Sequence, residues 1–290
     1  MFTAVLCLAL TAPAAQPKSI LDELTAEGLD IPGVGKHKLP TPALKLGMSE
    51  ADTKAEVQKF VADRREFLDK NRNAPFRLDR VGDVVDRSGK VHGREFHLYF
   101  AAHGNIKDLD EHGLVHSLLG MKAGPRKAKG SKDLDYLDDD DLKARGLVPA
   151  TIQDGEERYS LLDMELFDKV KVDGVMRSRK QWVNGSLVTT MVLDPRFLND
   201  KKYPNRWRSI PERKDDKDTL GPPQPYGGFG GYVKATPVPG MKNVIFLEMH
   251  FALSEPHDWF GGRNLIAARL PMATKENVAN LRKKLADKSR

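Results

Sequence analysis

The dipeptide Asn184-Gly185 is the feature that most constrains the fold of this chain. Between two runs of alternating apolar and polar residues, Asn-Gly is the strongest short-range signal for a two-residue β-hairpin. Ser88-Gly89 and Asp173-Gly174 separate further runs of this kind, and the latter turn follows a strand predicted over 158–172. Because strands joined by short turns pair antiparallel, the sequence predicts an α+β protein in which an antiparallel sheet of hairpins and meanders packs against helices.

The strand predicted over 243–253 indicates which side of the sheet faces the core. Every second residue from Ile245 to Leu253 is apolar, whereas Glu248 and His250 lie on the opposite side. We expect the apolar side to pack against helices, including a C-terminal helix capped by Thr274. Glu248 and His250 could act as an acid–base pair, but they are surface residues unless a second layer covers them.

The N-terminal part of the chain predicts export followed by a linker. Residues 1–14 carry no charged side chain and end in small residues, which is typical of a cleavable signal peptide. Residues 15–48 are rich in proline and glycine and are interpreted as a linker. A helix capped by Ser49 and running to about Asn71 then begins a single domain over 49–290. We therefore expect a periplasmic or extracellular protein.

Composition narrows the possible functions. The only cysteine, Cys7, lies in the predicted signal peptide, so the mature chain would have no thiol for disulfide or redox chemistry. No run approaches eighteen apolar residues, so no transmembrane span is expected. The net charge of +6 is modest and mixed with 41 acidic residues. Together with export it argues against a nucleic-acid partner and is better suited to an anionic envelope surface.

His112 and His116 are the residues that most suggest a metal site. Spaced by four, they would share one face of a helix, and His103 lies nearby. Gly113 weakens that helix, however, and the pattern is not the His-Glu-x-x-His of metalloproteases. A metal-dependent hydrolase that uses His112 and His116 is kept as an alternative, while no metal or other cofactor is expected.

A set of residues near the C-terminus points to a known family. It comprises Gly231-Tyr232-Val233-Lys234, Pro237, Glu255-Pro256, Trp259, Asn264, Pro271 and Leu281-Arg282. Through this set, the segment 231–285 resembles the closing part of START lipid-binding domains, which belong to the helix-grip class. The resemblance implies a sheet wrapped around a long C-terminal helix and an apolar cavity. It also implies that 265–286 is mostly one helix, kinked at Pro271.

The predicted function is non-enzymatic binding of a lipid or another apolar small molecule between the sheet and the C-terminal helix. The candidate lining residues are Met249, Phe251, Trp259, Phe260, Ile266 and Leu270. No catalytic residue is predicted, because no nucleophile motif is present. A second alternative is a structural or interaction module of the cell envelope, in which a long polar loop predicted over 194–226 contacts a partner protein. A filled core without a cavity of a few hundred Å³ would argue against ligand binding.

Overall fold

The computed structural model of the chain describes residues 19–61, 65–79, 81–110, 118, 136–147, 151–152, 155–214, 217–261 and 263–288. Within these ranges the α-helices are α1 (Ile20–Asp22), α2 (Glu50–Val61), α3 (Asp139–Lys143) and α4 (Leu265–Lys288). The first strands are β1 (Leu29–Ile31), β2 (Gly35–His37), β3 (Arg77–Leu78), β4 (Gly82–Val85), β5 (Val91–His103), β6 (Thr151–Ile152), β7 (Gly155–Leu166) and β8 (Val170–Val183). The later strands are β9 (Ser186–Leu193), β10 (Arg206–Ser209), β11 (Glu212–Lys214), β12 (Lys217–Thr219), β13 (Gln224–Pro225), β14 (Phe229–Pro237) and β15 (Val244–Ser254).

The main sheet is antiparallel throughout, which confirms the predicted fold class. Its strands follow the order β13-β10-β8-β9-β14-β15-β5-β3, with β7 also paired to β8 and β4 also paired to β5. The turn at Asn184-Gly185 has left-handed backbone angles at both residues, as a tight hairpin requires. It joins β8 to β9, so the dipeptide that predicted the hairpin forms it.

The inner face of the sheet packs against α4. Ile266, Val278, Leu281 and Leu285 of the helix are buried in the same cluster as the apolar side of β15. The helix is continuous from Leu265 to Lys288 and contains Pro271, as the resemblance implied. Among the described helices, none is long and apolar enough to cross a membrane.

The outer face of the sheet is covered by the N-terminal segment, defined here as residues 19–48. Its apolar side chains Leu24 and Ile31 are buried against Val188 and Tyr232 of the sheet. Farther along, Leu44 joins a second apolar cluster on the same face. The interpretation of this stretch as a linker is corrected for the described residues, because its leucines and isoleucines supply the layer that the sheet needs on that side.

One predicted turn lies inside a strand instead. β7 and β8 are joined at Phe167 and Asp168, which both have a φ of 55°, whereas Asp173-Gly174 sits within β8. The glycine serves close packing there, because a β-carbon at Gly174 would lie 2.6 Å from the side-chain oxygen of Asn205. A glycine required for close approach looks like a turn residue in the sequence alone.

The region predicted as a long loop over 194–226 contributes strands to the sheet. β10 pairs with the first half of β8, and β13 pairs with β10. Trp207 is buried in the main core. The buried side chain of Asn205 links this region to neighbouring backbone. Its amide oxygen accepts a hydrogen bond from Val175 N at 2.9 Å, and its amide nitrogen donates one to Asp194 O at 2.7 Å.

The start of α2 matches its prediction, since Ser49 Oγ accepts a hydrogen bond from Asp52 N at 3.1 Å. The α-helix is assigned only as far as Val61, and a 3₁₀ turn covers Arg65–Leu68. The α-helix therefore ends before Asn71, near which the sequence predicted its end.

Candidate functional site

The outer face of the central strands carries charged and polar side chains that the N-terminal segment buries. Glu248 and His250 of β15 are 0% and 1% exposed, and Lys234 of β14 is 1% exposed. Such residues are almost never fully buried unless they are paired. A second layer, the N-terminal segment, therefore covers this side of the sheet. Glu248, His250 and Lys234 form a buried polar cluster beneath it.

Glu248 holds the backbone of the N-terminal segment. Its carboxylate accepts hydrogen bonds from Ala43 N at 2.7 Å and from Leu44 N at 3.4 Å. Lys234 Nζ lies 3.8 Å from the same carboxylate, and His250 Nε2 lies 3.7 Å from it. The carboxylate is thus the point at which two strands of the sheet meet the backbone of the segment.

Two further side chains of β14 bind the same stretch of backbone. Lys234 Nζ donates hydrogen bonds to Leu44 O and, at 3.1 Å, to Thr236 Oγ1. The Tyr232 hydroxyl donates to Pro40 O at 2.7 Å. We call this set of contacts the clasp; it comprises Pro40, Ala43 and Leu44 of the segment and Tyr232, Lys234 and Glu248 of the sheet.

Beside the clasp, His97 of β5 and His250 of β15 form a histidine pair. Their Nδ1 atoms lie 3.0 Å apart, so one nitrogen donates and the other accepts. His97 Nε2 faces Glu95 Oε2 at 3.9 Å, and that carboxylate binds His37 Nε2 of the N-terminal segment at 2.8 Å. His250 also stacks on the ring of Tyr232, with the ring centroids 4.8 Å apart. The pair is therefore linked on both sides to groups that contact the segment.

Burial changes the acid–base behaviour of several of these groups. Desolvation lowers the pKa of His97, and the neighbouring His250 lowers it further. Desolvation also lowers the pKa of Lys234, with Glu248 opposing that effect. The hydrogen bond from His37 lowers the pKa of Glu95. Burial raises the pKa of Tyr99 to about 12 and also raises the pKa of Tyr232.

An apolar hollow of ≈ 340 Å³ lies between the N-terminal segment and the sheet. One wall consists of Leu24, Leu29 and Pro32 from the segment. The other wall includes Val192, Leu193, Pro195, Leu198, Tyr226 and Gly228. Charged residues stand at this hollow as opposite pairs, Arg177 with Glu23 and Lys36 with Asp30. Its lining is otherwise mainly hydrophobic, which is typical of sites for small apolar molecules.

The six residues predicted to line a cavity lie in the main core. Met249, Phe251, Trp259, Phe260 and Ile266 are buried, and Leu270 packs partly buried against them. Trp259 stacks on Tyr226 with the centroids 5.2 Å apart. Whether the six contact a ligand stays a prediction.

On the inner face of the sheet, a space of ≈ 10 Å³ is lined by the strand residues Leu187, Val233, Ala235 and Leu247 and by Leu109. A volume of this size is enough for about one water molecule. A larger groove, of ≈ 460 Å³, lies where α4 meets β3 and β4, but Arg77, Asp79 and Asp83 make its lining more polar than that of the outer hollow.

The predicted metal ligands His112 and His116 lie outside the described residues. Their neighbour His103 contacts the carbonyl oxygen of Leu68 at 2.8 Å, on the outer face. In the part of the chain that the structure describes, no three histidine, cysteine, aspartate or glutamate side chains are grouped so that they could hold a metal ion. The hydrolase alternative stays untested.

No family model matches this chain, and no curated protein matches it. Among solved structures, it is similar to human StAR-related lipid transfer protein 5, with a TM-score of 0.38 and 11% identity over 83% of this chain and 96% of that chain. It is also similar to the lipid transfer and protein localization domain of human StarD13 (DLC2), with a TM-score of 0.33 and 8% identity over 65% and 76% of the two chains. Human STARD10 has a TM-score of 0.30 and 8% identity over 72% and 75%.

These structures come from the family that the segment 231–285 resembles in sequence. The arrangement they share with this chain is START-like, a large antiparallel sheet packed against a long C-terminal helix.

Proposed function

We propose that the protein binds an apolar small molecule, without catalysis, in the hollow between its N-terminal segment and the outer face of the sheet. The observation that carries the proposal is the hollow itself, whose ≈ 340 Å³ lie within the range of small-molecule sites. Leu198, which is 37% exposed, stands at this hollow and leaves an apolar side chain open to solvent. A lipid chain or a compact apolar ligand would cover it.

The outer hollow is better supported as the ligand site than the interior of the helix grip. The groove of ≈ 460 Å³ between α4 and β3 carries the charged residues Arg77, Asp79 and Asp83 in its lining, which suits an apolar ligand less well. The interior space of ≈ 10 Å³ would have to expand more than tenfold to accept a ligand. Such an expansion would separate well-packed core residues, which is costly. The hollow already has a suitable size and is open at its rim.

A charge placed in the hollow tests this site. Leu198→Lys adds an ammonium group to the lining, and its folding cost should be small because the side chain is partly exposed. Leu46→Lys is the matched control, since Leu46 is 39% exposed and does not line the hollow. Binding of the uncharged apolar fluorophore phenylnaphthylamine is measured by titration. We expect at least about tenfold weaker binding for Leu198→Lys and unchanged binding for Leu46→Lys.

A third variant locates the site if the first result is negative. Ala235 lines the small interior space, and Ala235→Val would fill it. Loss of binding in Ala235→Val alone would place the ligand inside the grip, where the six predicted lining residues lie. Absence of fluorophore binding to the wild-type protein, together with no extra mass in native mass spectrometry, would refute the binding function.

We also propose that this binding takes place outside the cytoplasm. The uncharged, apolar residues 1–14 with their small-residue end support export. The mass of the chain recovered from expressing cells tests this proposal. A chain that begins near Ala15 is expected, and a chain that retains Met1 would refute export.

A further inference from the structure

The N-terminal segment both encloses the hollow and depends on the clasp. Residues 23–36 of the segment provide one wall of the hollow, and the clasp fixes the chain immediately after that wall. Three side chains of the sheet, Tyr232, Lys234 and Glu248, bind the backbone there. A change that loosens the clasp therefore removes the anchor next to the wall, which is then held by the burial of Leu24 and Ile31 and by the pair of Arg177 with Glu23.

We propose that protonation of the histidine pair loosens the clasp, so that the segment detaches and the hollow opens in mildly acidic conditions. This inference rests on the proposed function, since it describes how the same site would release its ligand.

The geometry of the pair is the first argument. With the two Nδ1 atoms 3.0 Å apart, only one of them can carry a proton that points at the other. If both rings were fully protonated, two N–H groups would face each other inside a buried cluster, and the rings would have to separate. A displaced His250 ring would lose its stacking on Tyr232, whose hydroxyl donates a hydrogen bond to Pro40 O.

The contacts of the pair are the second argument. His250 Nε2 has no hydrogen-bond partner among the described residues, and its nearest carboxylate is Glu248 at 3.7 Å. Rotation of the His250 ring toward that carboxylate would compete with the hydrogen bond from Ala43 N. On the other side, His97 faces Glu95, which holds His37.

The other charged groups around the pair determine the pH range. They are His37 on β2, Arg77 on β3, Asp79 just after it, Glu95 and Tyr99 on β5, Tyr232 and Lys234 on β14, and Glu248 on β15. The pKa of Glu95 is lowered below its usual 4.5, so Glu95 stays charged in mild acid. Protonation of His37 would strengthen its pairing with Glu95 and would favour the closed segment. The groups whose protonation opposes the clasp are thus His97 and His250.

The direction follows from linkage. Because the pKa of His97 lies below the ordinary 6.5 while the segment is closed, the detached state binds protons first as the pH falls. The population of the detached state then rises by up to about tenfold per pH unit for each additional proton bound. Between pH 7.5 and 5.5 one such histidine predicts a rise of up to about tenfold.

Hydrogen exchange of the full chain tests the proposal. Exchange of the amides in 38–45, corrected for the intrinsic pH dependence, is compared at pH 7.5 and 5.5. We expect protection to fall several-fold, by up to about tenfold, in this stretch while β9 keeps its protection. In His97→Gln the fall should disappear, because the proton-binding ring is gone. In the control His103→Gln it should persist, because His103 contacts Leu68 rather than the clasp.

Two outcomes would overturn the inference: no loss of protection in the wild type, or an equal loss in His97→Gln. If His97→Gln does not fold, His250→Gln provides the same test from the other ring. Retention of phenylnaphthylamine is measured in parallel at both pH values. A protein that never binds the fluorophore would refute the proposed function, whereas the exchange result still decides whether the histidine pair controls the clasp.

Discussion

Glu248→Gln removes the charge at the centre of the clasp while it keeps the size of the side chain. Glu248 accepts hydrogen bonds from two backbone N–H groups and lies 3.8 Å from the ammonium group of Lys234. A glutamine has one acceptor oxygen and one donor nitrogen in their place, so one N–H of the segment would face another donor. Lys234 would stay buried without its carboxylate.

The size of the effect follows from these distances. At an effective dielectric constant of about 20, two unit charges 3.8 Å apart attract each other by about 4 kcal/mol. Removing one member of a buried ion pair typically costs about 3–5 kcal/mol. We therefore expect the free energy of unfolding to fall by about 3–5 kcal/mol in Glu248→Gln.

The double variant Lys234→Met/Glu248→Gln separates the stranded charge from the lost hydrogen bonds. With the ammonium group absent, no unpaired charge is buried, so the double variant should be more stable than Glu248→Gln alone. Urea unfolding followed by fluorescence and circular dichroism measures each free energy. Glu276→Gln on the exposed side of α4 is the surface control and should change stability by less than about 0.5 kcal/mol. A cost below about 1 kcal/mol for Glu248→Gln would refute the role given to its carboxylate.

Three further predictions concern other parts of the fold. Gly231→Ala should lower the free energy of unfolding by more than about 3 kcal/mol or prevent folding, since a β-carbon would lie 2.3 Å from the His250 carbonyl oxygen. Gly227→Ala should be nearly neutral in the same urea assay, because its β-carbon would have no neighbour closer than 3.9 Å. Leu24→Ala should cost about 2–5 kcal/mol in urea unfolding, because Leu24 is 1% exposed; no change would restore the linker interpretation. Arg145 lowers the pKa of Asp200 to about 2, below the usual 3.8, so the stability from this pair is present above pH 3.8 and is lost as the pH falls toward 2. Arg145→Gln should therefore shift acid unfolding to higher pH, and an unchanged midpoint would contradict this pairing.

The sheet was predictable because its signals are local. Asn184-Gly185 fixes a hairpin within a few residues, and the alternation along β15 identifies the core side without reference to any other segment. The position of Pro271 within α4 was implied only by the family resemblance, since proline usually ends a helix. Gly174 led to a wrong turn prediction, because close packing inside a strand and a tight turn both require glycine.

The candidate site was not predictable, because its two halves are distant in the sequence. Ala43 and Glu248 are 205 positions apart, and nothing near either residue indicates the other. Proline and glycine between 17 and 47 suggested a linker, although buried leucines at 21, 24, 29, 39 and 44 recur through the same stretch. Those leucines are the signal that could have identified a covering layer.

The clasp also sets an order of events during synthesis. The ribosome delivers the N-terminal segment first, but its binding surface on β14 and β15 emerges only after some 200 further residues. At about 5–20 residues per second, the segment waits on the order of 10–40 s with its leucines unprotected. During that interval the nascent chain is a natural client for a chaperone, and the closure of the segment over the sheet becomes a late step of folding.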